Sequence, residues 1–187
     1  TYTVQSGDRS GDLTVGSIAL SGGSLSDAAG NAMSGFSIGT NLAASKALVI
    51  EGVLPTVSNV TSSTANGTKK VGDVIAVTVG FSESVTVSGT PQLTLETGST
   101  DRVVNYASGS GSNTLTFNYT VQSGDTSSDL DYTSTSALGL NGGTINDAAG
   151  NAATLTLASP GASGSLGAST ALVNETWVAS ISSVPSS

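Results

Sequence analysis

The chain has 187 residues, 13 acidic against 5 basic side chains, no His, no Cys and 24 Gly. Without His or Cys it has no Ser-His-Asp triad, thiolate nucleophile or Cys/His zinc site, and a net charge of −8 without a basic stripe argues against nucleic acid. Charged residues make up only 10% of the chain, whereas Ser and Thr number 58, a composition suited to export and solubility outside the cell.

Self-comparison exposes a repeat. Residues 2–13, YTVQSGDRSGDL, return as YTVQSGDTSSDL at 119–130, an offset of 117 residues. SGGSLSDAAGNA (21–32) returns as NGGTINDAAGNA (141–152) at an offset of 120, and KALVIE (46–51) as TALVNE (170–175) at 124. The offset grows where the second copy has longer loops, the usual site of insertions. A unit is therefore about 120 residues, an ordinary domain size. By phase, 1–54 is the back part of one unit, 55–178 a complete unit and 179–187 the start of a third. Strand donation between neighbouring chains would leave roughly 55 residues of the partial units unsupplied, so the expectation is a slice of a long tandem array. The start at Thr1, without a signal peptide, fits processing or excision from something longer.

In chain order the expected strands are VIAVTVGF (74–81), PQLTLETG (91–98), RVVNYA (102–107), NTLTFNYTV (113–121), ATLTLA (153–158) and TALVNE (170–175). Each alternates apolar residues with Thr, Ser or Asn, the period of a strand with one buried face. SGSGSN (108–113) between two of them reads as a hairpin turn. No stretch of helical length keeps helical spacing with caps, and no apolar run approaches a membrane span. About seven short strands per unit predict an all-β fold, an antiparallel immunoglobulin-like β-sandwich repeated in tandem. With one Trp and three Phe, the core falls to Val, Leu, Ile and Ala.

FSESVTVSGTPQLTLETG (81–98), the NDAAGN turn, and ALVIE followed by PTVSNVTSS resemble the bacterial immunoglobulin-like repeats of giant secreted surface proteins, nearest to those named for swimming-associated cell-surface proteins. The resemblance spans essentially the whole chain. It implies a tandem array exported to the bacterial surface or beyond, serving as stalk, adhesin or filament, while leaving the ligand open.

Carboxylates are the candidate site residues. Asp27 with Asn31, and Asp147 with Asn151, lie in a DAAGN pentapeptide present in both units. Read as a turn, the Asp accepts backbone hydrogen bonds and Gly30 or Gly150 takes positive φ. Read as a metal site, Asp and Asn supply hard oxygens toward the six to eight that Ca²⁺ takes, and the resembling repeats use such loops near domain junctions. Glu51 and Glu175 stand where that family carries Asp at the interdomain linker, which makes them further candidate calcium ligands. Asp125, Asp129 and Asp131, with Asp8 and Asp12 in the first unit, lack the Gly and Glu of an EF-hand loop and read as a solvated, charged turn. Glu83 and Asp101 read as surface charges. Lys46, Lys69 and Lys70 raise an isopeptide bond, which needs a buried Lys beside a carboxyl, whereas Lys69 and Lys70 fall in a polar turn. Asn59, Asn66, Asn118 and Asn174 begin Asn-x-Ser/Thr triplets, a number near chance in so Thr-rich a chain.

The functional expectation is a non-catalytic, extracellular structural repeat of a large bacterial surface protein, with Ca²⁺ as its candidate cofactor. Its expected partners are neighbouring repeats of the same polypeptide or like subunits. A polymerising fibre or sheath subunit, and a module that binds surface glycans or proteins, are the alternatives. No activated nucleophile or base suggests an enzyme.

Overall fold

The computed structural model describes residues 1–33 and 35–175. The expected third unit at 179–187, and Trp177 in the expected junction, lie outside the described residues. The chain separates into two compact units, Thr1–Val53 and Leu54–Ser187. Among the described residues the regular structure of the second unit is strand apart from one four-residue helical turn, that of the first is one short strand pair and one such turn, and the all-β expectation holds.

The first unit contains β1 (Arg9–Ser10), the single-turn helix α1 (Leu42–Ser45) and β2 (Ile50–Glu51). β1 and β2 pair antiparallel, with Arg9 opposite Glu51. The second unit opens with β3 (Val57–Ser62), β4 (Gly67–Lys69), the 15-residue β5 (Val74–Ser88) and β6 (Gln92–Glu96). Then come β7 (Arg102–Ser108), β8 (Ser112–Thr120), β9 (Thr126–Ser127), β10 (Asp131–Tyr132), β11 (Leu138–Gly139) and β12 (Thr144–Asn146). The turn of helix α2 (Leu166–Ser169) and β13 (Leu172–Glu175) close it.

Eight of these strands form one antiparallel sheet with the path β10-β6-β7-β8-β5-β12, to which β3 adds at β5 and β11 at β6. The alternation in the sequence decides which face is buried. Ile75, Val77 and Val79 stand opposite Tyr119, Phe117 and Leu115, and all six are shut away from solvent. The intervening Ala76 and Thr78 stand opposite Asn118 and Thr116 on the other face. Between Gly80 and Val85 the register against β8 shifts, a bulge that bends β5 so that its far end pairs with β12. There Gly89 (φ 71°) and Gly143 meet backbone to backbone: a Cβ on Gly89 would lie 2.8 Å from the Gly143 Cα. A second, three-stranded sheet, β4-β13-β9, mixes a parallel β13–β4 pair with an antiparallel β13–β9 pair.

One continuous apolar core runs through the second unit, from Val60 through Leu93, Leu95, Leu130, Ile145 and Leu166 to Leu172. Tyr106 and Phe117 meet edge to face, with centroids 6.2 Å apart. The stretch 153–158 departs from expectation and forms no strand. Ala153 donates to the Ile145 carbonyl of β12, Thr154 to that of Pro55 and Leu157 to that of Thr135, so the segment is held by separate bonds to different partners and not by one ladder. It still seals the core with Leu157.

Truncating the inward Phe117 to Ala is expected to cost about 3–5 kcal/mol through the cavity it leaves. Its exposed neighbour Asn118, changed to Ala, should stay within about 0.5 kcal/mol. Denaturant titration of the two variants checks the inside-outside register, and equal losses would refute it.

Candidate functional site

The repeated segments produce the same local constructions in both units. The DAAGN loops are the plainest. In the second unit the Asp147 Oδ1 accepts from the Ala149 and Asn151 backbone N–H groups at 2.9 and 2.7 Å, and Oδ2 accepts from the Asn151 side-chain amide at 2.7 Å. In the first, Asp27 takes the equivalent three bonds from Ala29 and Asn31, each at 2.9 Å. The loop is pinned at its base by the Asp147 N–H on the Asn151 carbonyl, and by Asp27 on Asn31. Gly30 and Gly150 turn the chain at φ 89° and 92°, in the left-handed region that an L side chain resists. Hydrogen bonds from Asn31 hold the Asp27 carboxyl below its usual range. Burial works to raise Asp147, and the bonds from Asn151, Ala149 and Gly150 outweigh it. The structure thus joins Asp27 to Asn31 and Asp147 to Asn151 as closed turns.

Glu51 and Glu175 stand on strands outside these loops. The Glu51 Oε2 receives Arg9 through Nε and Nη2, both at 3.0 Å, and its Oε1 accepts the Val53 N–H. Glu175 is exposed at the end of β13, opposite Thr126. Among the described residues no group of three or more acidic side chains converges as a metal site would require.

The segment YTVQSGD builds the second repeated construction, and here the structure corrects a sequence expectation. Asp125 is no solvated turn residue: it is 1% exposed. Its Oδ2 accepts from the Tyr119 hydroxyl at 2.6 Å and the Gln122 N–H at 2.9 Å. Its Oδ1 receives Arg102 through Nε at 2.8 Å and Nη2 at 2.7 Å. Burial pushes the carboxyl up, but the Arg102 and Tyr119 bonds prevail and hold it below the ordinary carboxylate value. Burial, then the anionic neighbour, drives the Tyr119 hydroxyl well above its ordinary value. Asn174 of β13 completes the group, its amide donating to the Tyr119 hydroxyl at 3.4 Å. The first unit repeats the corner: Tyr2 donates to the Asp8 Oδ2 at 2.5 Å and the Gln5 N–H to the same oxygen at 2.7 Å.

The other acidic residues of this stretch part company. Asp131 receives the Tyr132 and Gly161 N–H groups, Asp129 is exposed, and Asp12 accepts from Leu48 across the first unit. The lysines are surface groups: Lys70 pairs with Asp73 at 2.7 Å and Lys69 donates to the Ala65 carbonyl. Asn174, heading one of the Asn-x-Ser/Thr triplets, is buried. Arg102 and Tyr119 escaped the sequence reading. The available signal was the pairing of Tyr with an Asp six residues on, present in both copies.

These carboxylates work as fasteners that satisfy backbone donors where the chain turns between strands. Asp125→Asn removes the charge that Arg102 was buried against, and is expected to destabilise the second unit by about 2–4 kcal/mol. Asp129→Asn should stay within about 0.5 kcal/mol. Since Asp27, Asp125 and Asp147 hold lowered values in the fold, their contribution is complete above the unfolded carboxylate value near ~4 and disappears as pH falls through the folded value. The thermal midpoint should therefore be level from neutrality to about pH 5 and fall in stronger acid, with a shallower fall in Asp125→Asn. Because each DAAGN turn is closed by its own hydrogen bonds, exchanging EDTA for millimolar Ca²⁺ is expected to leave the midpoint in place. An ion bound only to the folded state, at a hundredfold excess over its dissociation constant, would add about 2.7 kcal/mol.

A scan against protein-family models found no match, and neither a curated protein nor a solved structure matches the chain.

Proposed function

We propose that the chain is a structural repeat module of a large extracellular bacterial surface protein, with immunoglobulin-like units in series acting as stalk or spacer. The observation that carries this reading is the framework built twice. The Tyr–Asp corner, the closed DAAGN turn and the strand pair β1–β2, whose counterpart is β9–β13, recur at offsets of 117 to 124 residues. A scaffold whose polar side chains are spent on fastening its own loops suits a load-bearing spacer. In a series of such units reach follows from repeat number, and each complete unit supplies its own core. Export fits the acidic, hydroxyl-rich surface and the lack of Cys.

Antibodies raised against residues 1–187 should label intact producing cells or their surrounding matrix, and external protease should abolish the signal. Labelling that appears only after permeabilisation would overturn the proposal.

A further inference from the structure

Asn-Gly occurs twice in the chain, at Asn66-Gly67 and Asn141-Gly142. In this dipeptide the glycine nitrogen can attack the preceding side-chain carbonyl carbon, because no Cβ obstructs the approach. Both pairs are exposed, so exposure does not separate them, but their bonding does. At Asn66-Gly67 both reacting groups are tied to one residue. The Ala171 N–H donates to the Asn66 Oδ1 at 3.1 Å, and the Gly67 N–H donates to the Ala171 carbonyl at 2.8 Å. Gly67 opens β4 opposite Leu172 of β13, and Leu172 is fully buried. For the Gly67 nitrogen to react, β4 has to peel away from β13.

Asn141-Gly142 forms the turn between β11 and β12. Asn141, at φ 48°, is the one non-glycine in the left-handed region among the described residues, and Gly142 follows at φ 76°. That region is disfavoured for a residue with a Cβ, which lowers the cost of leaving the turn. Two bonds close it: the Gly143 N–H on the Leu140 carbonyl at 2.8 Å, and the Asn141 side-chain amide on the Thr90 carbonyl at 3.1 Å. Neither belongs to a strand ladder, so the turn opens with β5 and β12 still paired. The attacking atom is also untethered, because no described residue accepts from the Gly142 N–H. In the first unit Ser21 holds the matching position, SGGSLS against NGGTIN, and has no amide to lose.

We propose that Asn141 is a site of spontaneous covalent modification, which the folded chain converts to aspartate and isoaspartate while sparing Asn66. The Gly142 nitrogen gives up its proton to solvent and bonds to the Asn141 Cγ. The Cγ–Nδ2 bond breaks and ammonia leaves. Water then adds to either carbonyl of the five-membered imide and opens it to a carboxylate, so water is the one co-reactant. The product carries one more negative charge and no longer donates an amide to Thr90. In the isoaspartate form the main chain of the turn gains a methylene. It does so beside the contact where a Cβ on Gly89 would lie 2.8 Å from the Gly143 Cα, so conversion loosens the start of β12. The inference does not rest on the stalk reading, since the chemistry needs only water.

The test stores the folded chain in mildly alkaline buffer made with heavy-oxygen water and follows both sites by peptide mapping and mass spectrometry. Conversion with uptake of the label is expected at Asn141, at least about tenfold faster than at Asn66, because opening a turn costs far less than unpairing core strands. A parallel sample in denaturant frees both pairs, and there the two rates should converge. The proposal is overturned if the folded chain keeps Asn141 intact while the denatured chain converts it, or if Asn66 reacts as fast as Asn141 in the fold. A rate ratio that persists unchanged in denaturant would also overturn it, because the difference would then belong to the local sequence and not to the bonds made by Ala171.

Discussion

The second unit turns on a carboxylate that has been taken out of water. Asp125 lies just ahead of β9, where the chain leaves the eight-stranded sheet for the three-stranded one. An isolated buried charge is costly by several kcal/mol, and it persists here because Arg102 of β7, Tyr119 of β8 and the Gln122 N–H meet both of its oxygens. Asn174 of β13 touches the same tyrosine. One side chain therefore fastens strands of both sheets at the corner between them. The apolar register of β5 against β8 then has a fixed end from which to run.

The same economy explains the turns. A loop that carries an Asp and an Asn four residues apart can satisfy its own backbone donors without water, so it keeps its shape wherever it occurs. This is why the DAAGN loop is the same in a unit with a full core and in one without it. Local hydrogen bonding is enough to shape the loop, but burial at the strands needs the other half of the sheet. The exposed Leu25 and the buried Ile145 precede the same DAAGN loop, and Ile145 is covered by the strands of 55–118.

Periodicity made the long central strands legible. The alternation in VIAVTVGF and NTLTFNYTV places Val77 and Phe117 inside and Thr78 and Thr116 outside, as observed. Alternation misled at 153–158, because a strand needs one continuous edge to pair with, and here the donors go separately to Ile145, Pro55 and Thr135. Pattern also could not foretell Asp125: an Asp in a Gly/Ser-rich turn ordinarily faces water, and its partner Arg102 is 23 residues away in sequence. The pairing of residues within each DAAGN loop was legible, because all its partners sit within five positions.

Amide hydrogen exchange of residues 1–187, read residue by residue in one experiment, tests most directly the claim that the strands of 55–118 are what bury the later strands of the second unit. The account predicts strong protection at Val77, Leu115, Phe117 and Leu172 and near-complete exchange at Leu13, Leu25 and Leu48 on the same timescale. Equal protection in the two sets would contradict it, since the matching residues of 1–53 would then be buried without the strands that bury them in the second unit.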